Sequence, residues 1–253
     1  MVEYEQRGRV AIITLRRPEA RNAINLEVAH GIEAAIDRLE GEEGAWAGVL
    51  TGEGTVFSAG ADLKVVAAGG MADLFTERGG FAGIAARTRA KPLIAAVDGP
   101  ALAGGCEVAL ACDLIVASTR ATFGLPEVKR SLVAAAGGLF RLPRLLPRNV
   151  AMEAIMTGDP LDATRAHALG LVNQLVEPGQ AQDAAAALAA RICENAPLAV
   201  QESRRTVLAI ADADEETARQ LSLAALARVM QTEDFAEGPR AFVEKRAPQW
   251  TGR

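Results

Sequence analysis

Side chains that titrate near neutrality are nearly missing from this chain. Among 253 residues there are two histidines, His30 and His167, and neither lies in a glycine-rich turn. Proton chemistry near pH 7 would therefore fall to carboxylates held in different environments. Cysteine is also scarce. Cys106, Cys112 and Cys193 are odd in number and show no C-x-x-C or Cys/His ligand spacing, which argues against a disulfide scaffold or a zinc site. Aromatic residues make up only 4% of the chain, so Ala, Val, Leu and Ile must build the core. No apolar run approaches the roughly 20 residues that span a bilayer, and Met1 to Leu15 lacks a basic-then-apolar leader pattern. Basic charge is not in excess either: 27 Lys and Arg face 32 Asp and Glu, for a net charge of −5. That balance disfavours a nucleic-acid footprint. The G-x-x-x-x-G-K-[ST] phosphate loop does not occur. These absences predict a reduced cytoplasmic protein with no membrane or nucleic-acid partner and no metal.

What is present is patterned apolar sequence, half of all residues. Val2–Arg7 and Val10–Leu15 read as a hairpin turning at Gly8. Leu26–Glu40 carries apolar residues at helical spacing. Gly48–Thr51, Pro92–Val97 and Leu114–Ala117 read as buried strands, and Gly104–Ala111 as a helix. Gly69–Gly80, with Gly-Gly at both ends, reads as a mobile loop or lid. From Pro126 onward the pattern is mostly helical, apart from strand-like Gly170–Val176. Gln182–Cys193, Leu198–Ala211 and Glu215–Met230 are predicted helices. The expected division is an α/β core over residues 1–195 and a helical segment over 196–253.

Three short stretches carry candidate chemistry, and each has a plain structural reading beside it. Ala59-Gly60-Ala61-Asp62 is a small-residue turn whose amides are open to a ligand oxygen; equally, Asp62 suits a helix start. Gly104 and Gly105 would open a helix with unpaired amides, a site for a developing oxyanion, or would simply permit tight helix–sheet contact. Glu107 lies in that helix's first turn, where the dipole alone would favour it. Pro126-Glu127 is a common helix opening. Cys106 has no suggested histidine partner and reads as small buried filler.

Taken together and in order, Ala-Gly-Ala-Asp, Gly-Gly-Cys-Glu and Pro-Glu resemble the crotonase family, the enoyl-CoA hydratase/isomerase superfamily. Arg17-Pro-Glu-Ala-Arg-Asn-Ala23 looks like its first CoA-contacting segment, and Val97 to Asp113 is close to its signature. Gly158, Ala163, Ala166, Gly170-Leu-Val172 and Ala241-Phe-Val-Glu-Lys-Arg246 also match. The resemblance implies a spiral of repeated ββα units with a C-terminal helical segment used for trimer formation, two trimers often stacking into a hexamer. It implies an acyl-CoA thioester substrate, with coenzyme A part of that substrate and no separate cofactor. The backbone amides of Ala61 and Gly104 would hold the thioester oxygen, and Glu107 and Glu127 would be the acid/base pair. CoA contacts would come from Arg21, Ala23, Ala59, Asp62, Leu63 and Lys64, with Phe242 and Lys245 reaching the CoA of a neighbouring subunit. Retention of both glutamates favours water addition to a 2-trans-enoyl-CoA; the alternatives are a Δ3,Δ2-enoyl-CoA isomerase, a carnitinyl-CoA dehydratase-like enzyme, or a non-enzymatic or RNA-binding relative. Two departures stand out. Ala103 replaces a common glycine, which reads as a minor steric change, and Ala134-Ala135 replaces a common Pro-Gly pair near the acyl end.

Overall fold

The computed structural model describes residues 1–253. The strands are β1 (Val2–Arg7), β2 (Val10–Leu15), β3 (Ala47–Gly52), β4 (Phe75–Thr76), β5 (Gly80–Phe81), β6 (Leu93–Val97), β7 (Ala101–Leu102), β8 (Leu114–Ser118), β9 (Thr122–Gly124), β10 (Leu161–Asp162) and β11 (Gln174–Val176). The helices are α1 (Leu26–Gly41), α2 (Leu63–Ala67), α3 (Gly104–Leu110), α4 (Gly138–Leu145), α5 (Arg148–Thr157), α6 (Ala163–Ala168), α7 (Ala181–Ile192), α8 (Pro197–Ala209), α9 (Glu215–Val229) and α10 (Glu233–Glu244).

Six strands form the main sheet in the order β1-β2-β3-β6-β8-β11. The hairpin β1–β2 is antiparallel and every later pair is parallel. Strand order follows chain order, so the sheet grows in one direction as a spiral. Its central strands are buried on both faces, which is why they read as unbroken apolar runs. On one face Ala11, Ile13, Leu15, Leu50, Ala95 and Val97 pack with Val28, Ile32, Ile36 and Leu39 of α1. On the other, Val10, Ile12, Val49, Ile94, Ala96 and Val116 meet Ala181, Ala185 and Ala189 of α7. Those alanines recur every fourth residue, giving α7 a flat stripe that lies close against the sheet.

A smaller sheet, β10-β9-β7, sits beside the first and carries the chain toward the candidate site. Three expectations need correction. Gly69–Gly80 is no free loop: a 3-10 turn at Met71–Leu74 leads into the hairpin β4–β5. That hairpin is tied to α1 by the Thr76 hydroxyl donating to Glu33 at 2.5 Å and by the Arg78–Asp37 ion pair at 2.5 Å. Pro126–Arg130 is a 3-10 turn rather than a full helix. The strand in 170–176 is confined to Gln174–Val176, because Gly170 takes a positive φ of 89° to end α6.

Beyond α7 the chain leaves the sheet. Helices α8 to α10 bury few residues of their own, and Leu223, Leu226, Met230, Phe242 and Val243 stand exposed. Arg204 of α8 anchors this segment through Asp113, 2.9 Å away, which also pairs with Arg89. No helix is long and apolar enough to cross a membrane.

Candidate active site

Three chain segments run side by side into one place. Ser58 bridges Ala101 in parallel, with Leu102 N–H donating to the Ser58 carbonyl at 3.0 Å. Leu102 pairs in turn with Gly124. The segments therefore deliver, in order, the turn Ala59–Asp62, the start of α3 with Gly104 and Glu107, and the turn with Glu127. Each follows a different strand of the main sheet: β3, β6 and β8.

The Ala61 and Gly104 amides are both free of any acceptor within the chain. For Ala61 this follows from the bridge to Ile24, which uses the Gly60 carbonyl and the Asp62 N–H and so turns the Ala61 N–H away. Gly104 is the first residue of α3, where the N–H has no helical partner. Gly60, at φ 84°, lets the two loops meet; a Cβ there would lie 2.6 Å from the Gly104 nitrogen. Tight packing is present as well: a Cβ at Gly104 would lie 2.4 Å from Phe81, and one at Gly105 would lie 2.2 Å from the Ser58 carbonyl. Both readings of the glycine pair hold at once.

Ala103, which precedes Gly104, adopts φ 51° and ψ −130°. An L side chain is strained there, so the replacement of glycine is a backbone matter and not a minor steric one. The strain is held by neighbours on both sides: Ala103 N–H donates to Gly124, and its carbonyl accepts from Cys106 and Glu107.

Glu107 is 4% exposed. Burial pushes its carboxyl up to about 7, opposed by the backbone N–H of Gly138 and pushed further by Glu127. Gly138 N–H donates to Glu107 Oε1 at 3.0 Å. Burial also raises Glu127, and its Oε2 is buried with no hydrogen-bond partner. Glu107 accepts from the Gly138 amide, while the ionised form of Glu127 is favoured by its own backbone N–H and by Arg130. Cys106 is buried and its thiol is pushed up by that burial, consistent with filler rather than a nucleophile.

The residues expected around CoA divide into two groups. The segment 21–24 is strapped to 58–62: Ala59 N–H donates to Arg21, Ile24 N–H to Gly60, and Ser58 Oγ to Asn22. Arg21, Ala23, Ala59, Asp62, Leu63 and Lys64 thus lie in two adjoining strips beside the free Ala61 amide. Within that group, Ala23 and Asp62 are buried, while Arg21, Leu63 and Lys64 are exposed. The Asp62 carboxylate is occupied by Arg17, at 2.7 Å, and by the Lys64 N–H it caps. Phe242 and Lys245 stand apart, exposed at the end of α10, with no side-chain hydrogen bond or ion pair to this region.

Sequence reasoning passed over two residues. Asn22, fully buried at φ 51°, accepts from Arg17 N–H and donates to the Glu53 and Val56 carbonyls; an asparagine beside the turn residues Pro18 and Arg21 was a signal for left-handed backbone. Gly138, 31 residues from Glu107, left no local signal.

A family model described as enoyl-CoA hydratase/isomerase matches residues 5–253. The crystal structure of an enoyl-CoA hydratase from Mycobacterium tuberculosis H37Rv superposes with a TM-score of 0.96 at 49% identity, covering 100% of this chain and 99% of that one. The enoyl-CoA hydratase EchA19 of Mycobacterium tuberculosis is 38% identical over 255 residues, 98% of this chain and 96% of its own. A carnitinyl-CoA dehydratase of Proteus mirabilis is 38% identical over 253 residues, 98% and 97% of the two chains. With this fold, two free amides and two glutamates on matching segments, the chain belongs to the enoyl-CoA hydratase/isomerase family.

Proposed function

We propose that the protein is an enoyl-CoA hydratase that adds water across C2=C3 of a 2-trans-enoyl-CoA. The observation that carries this reading is buried Glu107 and half-buried Glu127, both raised by burial, on segments adjoining the free Ala61 and Gly104 amides. The amides would accept charge on the thioester oxygen, drawing electrons from the double bond; one such donor contributes roughly 3 kcal/mol to the transition state. Ionised Glu107 takes a proton from water as its oxygen bonds C3. Protonated Glu127 gives its proton to C2. The π bond is consumed and no redox partner is needed. Arg21, Ala23, Ala59, Asp62, Leu63 and Lys64 would line the CoA path, with Phe242 and Lys245 serving the site of a neighbouring subunit in a trimer or hexamer. We place the reaction in the cytoplasm.

Carnitinyl-CoA dehydration is the second reading, favoured by the Proteus relative. Both reactions would use the same two glutamates and the same free amides, and differ in the acyl group carried.

Loss of enoyl absorbance across chain lengths, measured beside dehydration of carnitinyl-CoA, separates the two. Glu107→Gln and Glu127→Gln should each lower kcat by about 10³ or more, within what acid–base groups contribute jointly with water positioning. Substantial activity surviving in Glu107→Gln alone would indicate double-bond isomerisation instead. Because Glu107 must be ionised, kcat/KM for hydration should fall as pH drops through about 7.

A further inference from the structure

Arg141 is a half-buried cation without an ion-pair partner. It lies on α4, and burial holds its guanidinium below the usual arginine range. Buried arginines commonly meet a carboxylate, yet Arg141 makes no salt bridge. Instead its Nη1 donates to the Ala136 carbonyl at 3.2 Å and its Nη2 to the Ala85 carbonyl at 2.7 Å. The guanidinium therefore joins the turn 134–138 to the segment after β5. Gly137 makes the room for it. That residue has φ 130°, and a Cβ on it would lie 2.0 Å from Arg141 Nη1.

The clamped turn is the one that serves Glu107. Gly138 N–H, directly after Gly137, donates to Glu107 Oε1, and the Ala136 backbone favours the same ionised carboxylate. Gly138 is fixed from the other side as well, since a Cβ there would lie 2.8 Å from both Ala134 and Leu125. The charged and titratable groups around this place are few. Glu127 from the 3-10 turn and Cys106 from α3 face Glu107; Arg89 from before β6, Cys112 from after α3, and Arg144 from α4 face Arg141. Glu107 is the one carboxyl group among those acting on Arg141, and Arg141 the one cation among those acting on Glu107.

We propose that Arg141 is a positioning residue for Glu107: it fixes the turn that aims the Gly138 N–H at the carboxylate. Its catalytic consequence rests on the hydratase reading; its coupling to Glu107 does not. Arg141 would act by keeping Glu107 ionised and in one orientation, without touching substrate.

The test is infrared titration of the Glu107 carboxyl, identified as the band lost in Glu107→Gln, in the full-length protein between pH 5 and 9. In Arg141→Gln the midpoint should rise by about one unit, as expected when an opposite charge nearby is removed. Turnover of an enoyl-CoA should fall about tenfold at pH 7 with little change in KM, and raising the pH should recover part of it. A midpoint that stays in place in a folded Arg141→Gln protein overturns the proposal. If that variant does not fold, Arg141→Lys replaces it. A single ammonium cannot bridge Ala136 and Ala85, so the midpoint should still move by about half a unit, and an unmoved midpoint again overturns the proposal. Should the wild-type protein hydrate no enoyl-CoA, the infrared arm still decides the coupling of Arg141 to Glu107.

Discussion

At the scale of single residues, the most informative is Ala103. Its positive φ aims the Gly104 N–H, and alanine occupies that geometry at a cost of about 1–2 kcal/mol. Glycine would remove that strain but add freedom to the unfolded chain, worth about 0.5–1 kcal/mol. Ala103→Gly should therefore raise Tm by about 1–3 °C and leave turnover within about twofold. A drop in Tm would mean that the alanine methyl, close to Gly60, contributes packing that outweighs the strain. The sequence showed an alanine where relatives often carry glycine, yet it could not show the backbone angle that gives the difference its weight. Glu107 and Glu127 were legible for the opposite reason: each follows a local turn signal, and their order along the chain matches a known pattern.

Elements were readable in proportion to how much apolar surface they bury. β3, β6 and β8 announce themselves as continuous runs because both faces of the sheet are covered. The hairpin β4–β5 did not, since strands of two residues have no periodicity and glycines at each end look like a loop. What makes it an element is tertiary: Thr76 and Arg78 bind α1, and Phe81 stands on Gly104 with Phe75 packed edge-on at 5.6 Å. The turn at Arg21-Asn22 is similar. Asn22 makes three part-buried hydrogen bonds, one within the 17–23 segment and two that hold it to the loop after β3. Asn22→Ala would strand an N–H and two carbonyls, each costing about 1–3 kcal/mol, and would strain a left-handed residue. A loss of about 4 kcal/mol is expected in chemical denaturation, a large part of the roughly 5–15 kcal/mol typical of a domain. Asn22→Asp keeps the acceptor and tolerates the backbone, so it should fall between the two. Equal stability of wild type and Asn22→Ala would show that water replaces these bonds without penalty.

At the scale of the whole molecule, the division of labour lies between a sheet core that is closed and a C-terminal segment that is not. The main sheet is covered on both faces, whereas the segment from α9 to α10 leaves Leu223, Leu226, Met230, Phe242 and Val243 in the open. Exposed apolar groups on that scale mark an interaction surface more often than a solvated one. A second copy of the chain is the occupant our functional reading requires, because Phe242 and Lys245 stand exposed with no side-chain hydrogen bond or ion pair to the Glu107 region of their own chain. Sedimentation should then give a multiple of 26.5 kDa, a trimer or a pair of trimers. Phe242→Ala, at a position 85% exposed in the single chain, should raise KM for an enoyl-CoA several-fold while leaving kcat near wild type, since it would contact CoA and not the reacting carbons. A fully active monomer would sink both the assembly and the shared site. An oligomer whose KM ignores Phe242→Ala would keep the assembly and remove Phe242 from the CoA site.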